Sequence, residues 1–159
     1  MTVDPESKFG IKIQSRGLGK TFEQKYAILA GSVYVAVGVI GFFWTGLFTN
    51  FTERTNEALF GIFYINPFHN VVHLAVGLLW LGAAFTLTPA GTEGVNLAIG
   101  GFYVLAAVLG FLGYLSLVSV PGGNDPDNYL HLISGLATVV FGAGLVSAMR
   151  SGSRTSVNA

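Results

Sequence analysis

The chain has 159 residues, 52% hydrophobic and 10% charged, with zero formal net charge and no cysteine. Soluble domains carry roughly a quarter charged residues, so a fully water-facing surface is excluded. The charge balance argues against a nucleic-acid partner, and the lack of cysteine removes disulfides, thiolate metal sites and cysteine nucleophiles.

Residues 1–25 hold five basic groups (Lys8, Lys12, Arg16, Lys20 and Lys25) against three acidic ones. Phe9, Ile11 and Ile13 alternate with polar residues. The segment reads as a solvated tail with snorkelling lysines, and a short strand or interfacial segment is the other reading. No cleavable signal peptide is expected, because the first apolar run is too long for one.

Thr21-Phe22-Glu23-Gln24 fits a capping box and predicts a helix beginning just before Tyr26. Four apolar runs follow, approximately Tyr26–Phe48, Pro67–Leu87, Val95–Val118 and Tyr129–Met149. Each approaches the roughly 20 residues that cross a bilayer as a helix. The first ends in an aromatic belt from Trp44 to Phe48. The octet Ala58–Ile65 in the following connector is too short to span and is expected in the interface or folded back beneath the headgroups. Asn66 caps the second helix, with Pro67 at its first position, where a missing N–H costs nothing. Pro89 and Gly91 are expected to form a turn before the third helix. That helix carries Gly100, Gly101, Ala106, Ala107, Gly110 and Gly113, small residues that let helices approach closely in lipid. Asp125 and Pro126 repeat the cap-plus-proline start before the fourth.

The predicted organisation is a cytoplasmic segment 1–25, a transmembrane domain 26–149 and a disordered cytoplasmic tail 150–159. Basic residues crowd the N-terminal segment and the tail (Arg150, Arg154), so both termini are expected in the cytoplasm and the first and third loops outside.

Offsetting the chain by 58 pairs Asn66 with Asn124, Asn70 with Asn128, His73 with His131, Gly77 with Gly135, and His69 with Asp127. Upstream, an offset of 69 pairs Gly31 with Gly100, Tyr34 with Tyr103 and Gly41 with Gly110. The expected fold is therefore an all-α membrane protein with four transmembrane helices arranged as two parallel-oriented helical-hairpin repeats. Their twofold axis would run along the membrane normal, bringing the starts of helices two and four together.

All three histidines lie at those starts. His69 and His73 are four apart and share a helix face, which suits one metal ion with Asp127 or His131 as further ligand. Asn70 and Asn128 are expected to orient the rings from behind. His73 and His131 also suit haem ligation between two helices, and a membrane histidine can ligate chlorophyll magnesium. The plainer reading is a hydrogen-bonded network tying loops to helices with no ligand. No Ser-His-Asp order, Walker loop or H-E-x-x-H is present, so no catalytic set is assigned. Trp44, Trp80 and the phenylalanines read as lipid-facing or packing groups.

From Leu59 to His73, and again at Asp127-Asn128-Tyr129-Leu130-His131, the chain resembles a bacterial four-helix membrane family known only as a domain of unknown function (4383), common in actinobacteria and found in cyanobacteria. The likeness covers about residues 26–148. It implies four spans in the inner (plasma) membrane, or in a thylakoid for a cyanobacterial member, and no activity.

The leading functional expectation is a non-enzymatic subunit, accessory or structural, of a larger electron-transfer or photosynthetic membrane complex, in contact with the lipid bilayer. A haem- or metal-binding redox protein using the histidine cluster is the alternative, and a small transporter the third.

Overall fold

A computed structural model describes residues 21–142, so the expectations for the first 20 residues and for 143–159 lie outside the described residues. The first helix, α1 (Phe22–Thr45), starts at the capping box: Thr21 Oγ1 accepts from Gln24 N, and the Gln24 side chain accepts from Thr21 N. Helix α2 covers Pro67–Thr86 and α3 covers Pro89–Phe111. Helix α4 (Pro126–Ala137) runs on as a single π-helical turn through Thr138–Gly142. Three helices, α1, α2 and α3, are long and apolar enough to cross a membrane.

The third helix starts six residues earlier than the apolar run indicates. Thr88 caps it, its Oγ1 accepting from Gly91 N at 3.2 Å, and Pro89 sits at N1. The expected Pro89–Gly91 turn is instead the first helical turn. A hydropathy pattern registers where the chain becomes apolar, whereas capping decides where the backbone becomes helical. The same correction moves the end of α3 from Val118 back to Phe111, and a 3-10 turn at Ser116–Val118 follows.

Between α1 and α2 the octet forms a minimal antiparallel hairpin, β1 (Ala58–Leu59) paired with β2 (Phe63–Tyr64). Leu59 and Ile65 turn inward and are buried, whereas Phe60 and Ile62 are exposed at its tip. Phe60 also packs edge-on against Trp44 at the end of α1. Asn66 ties the connector to the loop before α4: its Nδ2 donates to the carbonyls of Glu53 (3.0 Å) and Leu117 (2.9 Å). Ser119 Oγ, in turn, accepts from Thr55 N at 2.9 Å.

The helices meet at glycines. A Cβ on Gly31 of α1 would lie 2.8 Å from the Gly77 carbonyl of α2, and one on Gly100 of α3 would lie 3.1 Å from the Gly135 carbonyl of α4. The side-chain amide of Asn70 lies on Gly41, and that of Asn128 lies on Gly110. Small residues at such crossings let backbones touch, which drives association in lipid, where hydrophobic burial between helices offers nothing. The core between the hairpins is aromatic: the Tyr34 ring lies 5.0 Å from Trp80 and 5.2 Å from Tyr103. Trp80 is not lipid-facing. It is 1% exposed, and its Nε1 donates to Asn96 Oδ1 at 3.0 Å. Asn96 Nδ2 then reaches the carbonyls of Glu23 and Gly142, joining three further elements to α2.

Candidate functional site

The first turns of α2 and α4 are fixed in the same way, and this positions the histidines. Asn66 Oδ1 accepts from His69 N at 2.8 Å and Asp125 Oδ1 accepts from Asp127 N at 2.9 Å, each followed by proline at N1. His69 and Asp127 therefore occupy first turns, and His73 and His131 lie one turn deeper on the same faces.

These faces converge. One ring nitrogen from each of His69, His73 and His131 lies within 4.8 Å of the others. The His69 ring stands edge-on to His73, with centroids 4.6 Å apart, and 6.0 Å from His131. Asp127 Oδ2 is 3.8 Å from His69 Nε2 and 3.7 Å from His131 Nε2. His69, Asp127 and His131 are all buried. His69 Nδ1, His73 Nε2, His131 Nδ1 and Asp127 Oδ2 are buried atoms without a hydrogen-bond partner. Unpaired buried polar atoms cost roughly 1–3 kcal/mol each, so four of them in these side chains call for an occupant.

The amide nitrogens of Asn70 and Asn128 donate away from the rings. Asn70 Nδ2 donates to Thr45 Oγ1 at 2.9 Å, and Asn128 Nδ2 donates to the Pro121 and Gly123 carbonyls. Both amides lock helix starts to neighbouring helices and loops, because each sits on the helix face turned toward its glycine partner. The rings are held instead by two tyrosines. Tyr34 of α1 packs on His73 (centroids 5.1 Å) and Tyr103 of α3 packs on His131 (5.3 Å). Sequence reasoning paired these tyrosines through the 69-residue offset without assigning them to the site. Their pairing at an offset of 69, beside the offset of 58 that pairs His73 with His131, was the available signal.

The pocket adjoining the triad has a volume of about 240 Å³ and is lined by all three histidines together with Phe68, Phe102 and Tyr103 among others.

A family described as a domain of unknown function (DUF4383) matches residues 24–144, and the chain belongs to it. Neither a curated protein nor a solved structure matches the chain.

Proposed function

We propose that this is a polytopic membrane protein that binds one divalent transition metal on His69, His73 and His131, with Asp127 as fourth ligand or as orienting carboxylate. The observation that carries this reading is the convergence of three imidazole nitrogens within 4.8 Å of one another, in a site where buried ring nitrogens lack partners. A point equidistant from three atoms 4.8 Å apart lies roughly 2.8 Å from each. Zinc–nitrogen bonds of about 2.0–2.1 Å thus need less than 1 Å of movement per ring. Three imidazoles favour zinc, copper, nickel or iron(II) over magnesium or calcium, which take oxygen ligands.

The doubled architecture supports the same site. The Gly31–Gly77 crossing matches Gly100–Gly135, the Asn70–Gly41 contact matches Asn128–Gly110, and Tyr34 on His73 matches Tyr103 on His131. On this reading α4 and its continuation form a fourth span, the counterpart of α2. Both termini are cytoplasmic, and the triad lies in the outer half of the bilayer of the cell membrane. The axis between the hairpins is filled by Tyr34, Trp80 and Tyr103, which speaks against a water-filled transport path.

The test is metal analysis of the full chain purified in detergent, followed by cobalt(II) loading. About one metal per chain is expected, with cobalt giving the visible bands of a four-coordinate nitrogen site. His73→Ala should abolish both signals. Protein that retains no metal and shows no such bands would overturn the proposal.

A further inference from the structure

The tip of the β1–β2 hairpin serves neither the core nor the histidine site. We infer that it is a membrane foot: the side chains of Phe60 and Ile62 dip into the headgroup–acyl boundary of the outer leaflet, beside the end of α1. The inference rests on the membrane reading above and is independent of the metal.

Depth places the tip at that boundary. Lys25 is exposed in the first turn of α1. From Tyr26 to Thr45 the helix rises roughly 30 Å, the thickness of the hydrocarbon core. Trp44 therefore reaches the outer boundary, the level at which tryptophan collects in membrane proteins. The Phe60 ring stands edge-on to Trp44, with centroids 5.9 Å apart. The tip lies at the same level and not out in water.

The chemistry of the tip suits that level. Ala58–Ile65 holds no charged residue, and Glu53, Arg54 and Glu57 all precede it. Leu59 and Ile65 are buried against the protein, whereas Phe60 is 64% and Ile62 50% exposed. Around Trp44, the side chains of Phe43, Leu47 and Phe48 are exposed as well. A contiguous apolar surface of this kind marks a contact with something outside the chain.

The turn adds an independent sign. Phe60 and Gly61 both have positive φ, 56° and 72°. This left-handed conformation suits glycine or asparagine and crowds the Cβ of a bulky residue. A phenylalanine here helps the turn in no way and gives the fold one edge contact. Its ring gains only from the medium outside the protein, and at this depth that medium is lipid. The backbone of the turn stays among the headgroups, within reach of water, while the two side chains point into the acyl boundary.

A tryptophan placed at the tip reads its own depth. Phe60→Trp is made in a Trp44→Phe background, whose remaining Trp80 is buried and supplies the baseline. The full chain is reconstituted in phosphatidylcholine nanodiscs carrying a nitroxide either near the glycerol end of the acyl chain or near its methyl end. The shallow nitroxide should quench the added tryptophan about twice as strongly as the deep one, because an interfacial side chain enters only about 5–10 Å. Iodide in the water should quench it weakly. Ile62→Trp should behave in the same way and serves if the first variant does not fold. Val33→Trp, near the middle of α1 at a position 49% exposed, calibrates the scale, and the deep nitroxide should quench it best. Strong iodide quenching with no nitroxide effect puts the tip in water and overturns the inference. Quenching by neither means that a second copy or a partner protein covers the tip, and overturns it too. In both cases a Val33→Trp protein that responds to the deep nitroxide leaves the membrane reading standing, and one that does not takes that reading down as well.

Discussion

Gly41→Ala tests how the helix crossings hold the histidines. A Cβ at position 41 would lie 2.6 Å from Asn70 Cγ and 3.0 Å from its Nδ2, where ordinary contact begins near 3.4 Å. Asn70 Oδ1 is closer still, so the amide would have to retreat by more than about 0.8 Å, stretching its 2.9 Å bond to Thr45 Oγ1 beyond hydrogen-bonding range. Asn70 is 2% exposed, so no water replaces the lost partner. An unsatisfied buried amide costs about 1–3 kcal/mol, and overpacking adds a similar amount. The better helix propensity of alanine returns only about 0.5–1 kcal/mol. The net expectation is a destabilisation of about 1–5 kcal/mol. Asn70 lies between His69 and His73 on the same turn, so its displacement should also tilt both rings. Each 1.4 kcal/mol of misfit costs about tenfold in metal affinity. Thermal unfolding in detergent, followed by size-exclusion, reads the first effect, and competition with a chelating dye reads the second. A Gly41→Ala protein with wild-type melting and wild-type metal affinity would refute the reasoning.

Asp127→Asn removes the carboxylate beside His69 and His131 and should weaken metal binding by about 10- to 100-fold, measured by the same dye competition. Trp80→Phe leaves Asn96 Oδ1 buried without its donor and should cost about 1–3 kcal/mol of stability. Combining it with Asn96→Ala should be markedly less than additive in the same melting assay. Because the chain has no cysteine, Phe60→Cys is a clean topology probe. At the exposed tip of the hairpin it should react with an impermeant maleimide added to intact cells, and labelling only after lysis would reverse the orientation.

The helices were legible because the bilayer writes its thickness into the sequence as runs of about 20 apolar residues. The caps at Thr21, Asn66 and Asp125 were legible too, because each pairs a short polar side chain with a residue type its position requires. Thr88 was missed for the opposite reason. Its helix begins in a polar stretch, Pro89 to Asn96, where hydropathy is silent and only the Thr-Pro pair carries the signal.

The residues of the site were also in the sequence, since an offset of 58 pairs His69 with Asp127 and His73 with His131. What sequence could not supply was direction. His69 and Asn70 are neighbours in the same turn, about 100° apart around the helix. One points to the triad and the other to Gly41 of α1. Which does which depends on the crossing of α1 and α2, a contact between residues far apart along the chain. Periodicity fixes which side chains share a face, while only the packing of four helix surfaces decides what that face meets.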